Sequence, residues 1–82
     1  MSDLARSPQH VGQLIRKRRR TLKLTQAELA KKVGSYQKTI SKLESGEPGI
    51  KLQTLFDVLA ALDLEIVMQR RSGSRVRIED LF

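Results

Sequence analysis

The chain has no cysteine and no tryptophan, one histidine, one tyrosine and two phenylalanines among its 82 residues. Without cysteine there can be no disulfide framework, no thiol nucleophile and no cysteine-rich zinc site, a usage that fits a reducing compartment. The single histidine, His10, lacks the co-ligands that a metal needs and reads as a solvated residue near a helix start, so neither metal nor cofactor is expected. A glycine-rich phosphate loop and a carboxylate pair suited to acid–base chemistry are also missing, and the chain is not expected to be an enzyme. No apolar run reaches the length of a membrane span or a signal-peptide core, which implies a soluble, cytoplasmic protein with no membrane partner. The few aromatic residues leave little for stacking single-stranded bases, and both phenylalanines fall in the apolar C-terminal portion, so an RNA-binding role is the weaker alternative. Acid is scarce as well.

Sixteen Lys/Arg stand against nine Asp/Glu, for a formal charge of +7. The placement of that excess matters more than its size: residues 1–50 hold eleven bases and four acids, whereas residues 51–82 hold five of each. A charge excess confined to one half of a chain is the footprint of polyanion binding rather than of a generally basic surface. A chain of this length forms one small domain that buries only about 60–65% of its unfolded surface, so its core is thin and a dimer would help it.

Met1 to Ser7 is polar and expected to fray. Ser7 followed by Pro8 can open a helix, and Val11, Leu14, Ile15 and Leu22 continue it at helical spacing to about Leu22. The run Arg16-Lys17-Arg18-Arg19-Arg20 lies inside this helix. Five successive residues sweep through more than a full turn, so they must do different jobs. Thr25 and Glu28 form a capping box that starts a second helix at Gln26, with Ala27, Leu29, Ala30 and Val33 as its apolar face and Gly34 as its stop. A third helix runs from about Gln37 to Ser45, with Ile40 and Leu43 or Glu44 inward and Gly46 as C-cap. Two short helices joined by a tight turn make a helix-turn-helix, whose second helix enters the DNA major groove. After the loop Glu47-Pro48-Gly49, the residues Leu52, Leu55, Phe56, Val58, Leu59 and Leu62 give the core stripe of a fourth helix. Beyond Asp63 the period falls to two: Leu64, Ile66 and Met68 alternate with Glu65, Val67 and Gln69, a strand pattern. Ser72-Gly73-Ser74 is turn chemistry, with Val76 and Ile78 as a return strand.

The series Leu24-Thr25-Gln26-Ala27-Glu28-Leu29-Ala30, Gly34, Thr39-Ile40-Ser41 and Glu44-Ser45-Gly46 resembles the lambda-repressor-like (XRE, Cro/C1-type) helix-turn-helix family over about residues 11 to 64. The resemblance implies a mainly α, four- to five-helix domain that binds double-stranded DNA. By the same resemblance, Arg19 aligns with an arginine that pairs with the glutamate ending the recognition helix, here Glu44, as a structural ion pair. Gln26 matches a glutamine that clamps a phosphate, at a helix start where free amides favour an anion. The chain departs from the family at three positions. Arg18 stands where an apolar residue is common, Ser35 replaces an apolar turn residue, and Tyr36 replaces the capping serine or threonine, leaving Ser35 as the candidate cap.

Because Ile40 and Leu43 claim the inward side of the recognition helix, Tyr36, Gln37, Lys38, Ser41 and Lys42 form the base-contacting set. Gln37 suits adenine, and Lys38 or Lys42 suits guanine O6 and N7. Tyr36 has two readings, a ring packed on the DNA or a cover for the turn. Thr39, Lys51 and Arg16 join Gln26 as phosphate-contacting candidates, Thr39 with a backbone bond as its other reading.

A lone hairpin is marginal in water, so the strand carrying Leu64, Ile66, Val67 and Met68 is expected to pair across a two-fold axis in a homodimer. A basic helix-turn-helix followed by Leu62-Asp63-Leu64-Glu65-Ile66-Val67-Met68 is similar to HipB-type antitoxins. That similarity implies an autoregulating repressor on an inverted-repeat operator that also binds a HipA-like Ser/Thr kinase toxin. Leu81 and Phe82, beside Glu79 and Asp80, are the toxin-contacting candidates, with a terminus packed on its own dimer as the other reading. The expected organisation is therefore 1–7 flexible N-terminus, 8–64 DNA-binding domain, 65–79 β dimerisation segment used as a short strand or hairpin, and 80–82 tail. A plain dimeric XRE-type repressor with no toxin partner is the alternative.

Overall fold

Ser7 sits in extended conformation and its hydroxyl accepts a hydrogen bond from the His10 amide at 3.1 Å, so the first helix starts at a capped end with proline in its first turn. The computed structural model describes residues 3–71, and in these four helices follow one another: α1 (Pro8–Thr21), α2 (Gln26–Lys32), α3 (Gln37–Glu44) and α4 (Leu52–Ala61). The capping box is formed at α2. The Glu28 amide donates to the Thr25 hydroxyl at 3.0 Å, and the Thr25 amide donates to the Glu28 carboxylate at 2.8 Å. At α3 neither Ser35 nor Tyr36 caps through its side chain. Tyr36 itself holds the N-cap position, which its phenol is too long to serve, and the Ser35 expectation is corrected.

All four helices stop in the same way. The second residue past the C-cap donates back five positions, from Leu24 to Arg19, Ser35 to Ala30, Glu47 to Lys42 and Leu64 to Leu59, at 2.8 to 3.1 Å. The residue between has positive φ in each case: Lys23, Gly34, Gly46 and Asp63 at 59°, 66°, 86° and 56°. Only two of these four stops are glycines. Such a stop reverses the chain within two residues, which lets short helices pack back on one another.

Ile15 of α1, Leu29 and Ala30 of α2, Ile40 and Leu43 of α3, and Val58, Leu59 and Leu62 at α4 make one buried cluster, with Val11, Leu24, Val33, Ile50, Leu55, Ala61 and Leu64 packed around it. Gly12 brings α1 onto the end of α3. A Cβ there would lie 2.5 Å from the Glu44 carbonyl oxygen and 2.6 Å from that of Leu43, so any side chain would force the helices apart.

Several sequence expectations are corrected. Leu52 and Phe56 are exposed, at 65% and 47%, because α4 turns the stripe Leu55, Val58, Leu59 and Leu62 to the core and leaves Leu52 and Phe56 on its outer side. Ala27 is likewise exposed. The expected strand is absent among the described residues: 64–71 run without a ladder, and Ile66, Val67 and Met68 are exposed while Leu64 is half-buried. A strand needs a second backbone to exchange hydrogen bonds with, and the described chain offers none. The return strand at Val76 and Ile78 and the tail residues Leu81 and Phe82 lie outside the described residues. Residues 3–6 and 63–71 flank an open groove of about 900 Å³ whose floor includes Val11, Leu14, Leu55 and Leu59.

Candidate nucleic-acid interface

The geometry of the site begins behind it, at Arg19. This residue and Glu44 are both 8% exposed, and the guanidinium meets the carboxylate through two bonds, Nε to Oε2 at 2.6 Å and Nη2 to Oε1 at 3.1 Å. Its Nη1 donates to the Leu24 carbonyl at 2.7 Å, in the segment that leads into α2. Hydrogen bonding to Glu44 raises the Arg19 pKa, against the opposing effect of burial, so the guanidinium remains charged. Gln26 completes the network by donating its Nε2 to Glu44 Oε1 at 3.1 Å. One carboxylate thus ties α1, the start of α2 and the end of α3 together, and these bonds fix the angle between the two helices of the motif. No buried side-chain polar atom among the described residues lacks a partner.

With Ile40, Leu43 and Glu44 buried, the opposite face of α3 is open to solvent. Gln37, Lys38, Ser41 and Lys42 are all exposed, and Tyr36, at the N-cap, is 79% exposed. The structure sets these five on the exposed side of α3 and its N-cap, with two lysines among them. Thr39 is half-buried on its flank, and Lys51 is exposed at the end of the loop before α4. Arg16 is exposed on α1, on a different element from the others. Gln26 is half-buried, and its amide nitrogen is directed inward to Glu44.

Two contacts were not foreseen from sequence. Arg18, at a position common to apolar residues in the resembled family, donates its Nε to the Leu62 carbonyl at 2.9 Å, satisfying a helix-end carbonyl and tying α1 to the exit of α4. No local pattern signals it, since the partners are 44 residues apart. The Gln26–Glu44 bond was equally hidden. Gly12 did carry a signal: with Ile15 and Arg19 it falls at i, i+3 and i+7, the spacing of a single helix face.

At the opposite end of α2 from its stop, the Glu28 carboxylate is held below the usual range by the Thr25 amide first and the Thr25 hydroxyl second. Among the described residues there is no cluster of His, Cys, Asp and Glu able to hold a metal, and no helix long and apolar enough to cross a membrane.

The profile of a helix-turn-helix family matches residues 15–68. An HTH-type transcriptional regulator of Sinorhizobium fredii is 43% identical over 67 residues, which cover 79% of this chain and 33% of that protein. The antitoxin HipB of Escherichia coli K12 is 43% identical over 44 residues, covering 54% of this chain and 50% of HipB. The chain thus aligns with a third to a half of these curated relatives. Among solved structures, a HipB complex with an O2 20-mer superposes with a TM-score of 0.79 at 33% identity, covering 85% of this chain and 97% of that one. A HipA–HipB–O2–O3 complex gives 0.78 at 32%, covering 84% and 97%.

Proposed function

Because the chain belongs to the XRE, lambda-repressor-like helix-turn-helix family, with HipB antitoxins among its relatives, we propose that it is a sequence-specific transcriptional repressor that binds double-stranded DNA as a homodimer on an inverted-repeat operator. The observation that carries this reading is the division of α3 into a buried face, Ile40, Leu43 and Glu44, and an exposed donor-rich face. Lys38 and Lys42 can donate to guanine, Gln37 can bind adenine through both amide atoms, and Ser41 and Tyr36 add a hydroxyl each. Thr39, Lys51 and Arg16 supply contacts to phosphate through their side chains, and Gln26, whose amide nitrogen is held by Glu44, through the backbone amide at the start of α2; such contacts position the protein without reading sequence. The Arg19–Glu44–Gln26 network holds the two helices at the angle this docking needs.

Leu52, Phe56, Ile66, Val67 and Met68 are exposed apolar side chains on α4 and the segment after it. A second copy of the chain would cover them, and the 64–68 stretch would gain the backbone partner that a strand requires. The dimer places two recognition helices on one side of a duplex, about 34–36 Å apart.

Similarity to HipB favours a further role as the antitoxin of a HipA-like Ser/Thr kinase toxin, and similarity to an HTH-type regulator favours a plain repressor. A pull-down from the native host, washed at high salt to remove DNA-bridged proteins, separates them: a stoichiometric kinase supports the antitoxin, and self-association alone supports the plain repressor. The DNA reading is tested by fluorescence anisotropy with duplex DNA, single-stranded DNA and RNA of matched length. Duplex DNA should bind most tightly, with affinity falling steeply as salt rises; a preference for RNA would contradict the proposal.

A further inference from the structure

α1 carries five consecutive basic residues, and the structure accounts for two of them. Arg18 donates to the Leu62 carbonyl and Arg19 pairs with Glu44. The other three, Arg16, Lys17 and Arg20, are exposed and have no carboxylate partner among the described residues. With Gln13 and Thr21 they line a shallow slot of about 480 Å³ formed by α1 alone, on the side turned away from Gly12, Ile15 and Arg19. Arg16 and Arg20 are one turn apart, where like charges repel. The helix dipole rewards a cation in the last turn, which covers Arg20 but not Arg16 or Lys17. An arrangement that opposes the stability of its own helix points to a ligand of the other sign.

The lining narrows the class of that ligand. Guanidinium, ammonium and amide groups donate hydrogen bonds, and the slot itself contains no carboxylate and no large apolar side chain, although Lys17 and Thr21 at its edge also border the larger groove with its apolar floor. A protein partner would need an apolar anchor at the centre of its contact, whereas a phosphodiester backbone needs only donors and positive charge. α1 also presents no Phe, Tyr or Trp on which an unpaired base could stack, which favours a duplex. We propose that the Gln13, Arg16, Lys17, Arg20 and Thr21 face of α1 is a second phosphate-binding surface for duplex DNA, separate from the base-reading face of α3. This rests on the DNA-binding reading above and extends its phosphate contact on α1 from Arg16 to a surface. It contributes affinity without sequence preference, so the protein holds non-specific duplex through α1 while α3 searches for its operator.

The experiment compares the full chain with a variant carrying Arg16→Gln, Lys17→Gln and Arg20→Gln, by anisotropy on a random-sequence duplex, on a duplex selected by the protein itself and on a single-stranded RNA of the same length. Each lost phosphate contact removes about 0.9 from the slope of log affinity against log salt. The variant should therefore lose about 2.7 in slope per protomer, about 5.4 for the dimer, on both duplexes, so that the dimer's deficit against the parent shrinks about 1,800-fold between roughly 50 and 200 mM salt. Its thermal midpoint should be no lower than the parent's, because all three side chains are solvated and their mutual repulsion is relieved, and its preference for the selected duplex should be retained. An unchanged slope would overturn the inference and leave α1 a solvated face. A loss confined to single-stranded RNA would overturn it in favour of a different nucleic acid. If the parent binds no duplex at all, the DNA-binding reading falls first and this inference with it.

Discussion

Arg19 makes the contacts on which the geometry of the motif depends. Its guanidinium is spent on Glu44 and the Leu24 carbonyl, so removing it leaves a buried carboxylate facing Gln26 alone. Arg19→Ala should cost about 3–5 kcal/mol of folding stability, read from urea unfolding, because an uncompensated buried charge is the expensive result of breaking such a pair. A loss of about 1 kcal/mol or less would instead mark the pair as behaving like a surface bridge. Gly12→Ala should also destabilise, since the new methyl meets two backbone carbonyls that have no freedom to retreat. The Arg19–Glu44 pairing was legible through resemblance, and the outward residues of α3 through the inward claim of Ile40 and Leu43. The bonds from Gln26 and Arg18 were not, because a polar side chain of either type satisfies local rules equally well facing water.

At the scale of the element, caps and stops decide where each helix lies. Thr25→Ala removes one half of the capping box and should cost about 1 kcal/mol. Glu28 forms the other half and gives α2 an acid dependence. Its carboxyl is held below the usual range in the folded chain, so its stabilisation is complete above the ordinary carboxylate value and lost as pH falls through the folded value. The thermal midpoints of the parent and of Glu28→Ala should therefore differ near neutral pH and converge in acid. A gap that stays constant to low pH would exclude this role. Helix positions were readable because Ser7-Pro8, Thr25 with Glu28, Gly34 and Gly46 are local signals with local causes. The ends of α1 and α4 rest on Lys23 and Asp63 in a conformation that L residues enter at a cost, and no residue type announced them. The strand pattern after Asp63 was a real periodicity, but period two states only what a segment would do beside another backbone.

For the molecule as a whole, the charge excess lies in the first part of the sequence and most of the exposed apolar surface in the second. Residues 1–50 carry the net charge of +7, whereas five of the eight exposed large hydrophobic residues among those described, Leu52, Phe56, Ile66, Val67 and Met68, fall in residues 51–71, the others being Leu4, Leu22 and Tyr36. The proposed dimer uses the second part to place two copies of the first on one duplex. Val67→Asp should release monomers in sedimentation equilibrium and weaken operator binding steeply while leaving the helical content intact; a variant that remains dimeric would move the interface elsewhere. The most direct test of the account is selection of bound sequences from a pool of random duplexes, followed by sequencing. The account predicts an enriched inverted repeat with half-sites one helical turn apart, about 10–10.5 base pairs centre to centre. Tight binding with no enriched sequence would contradict it.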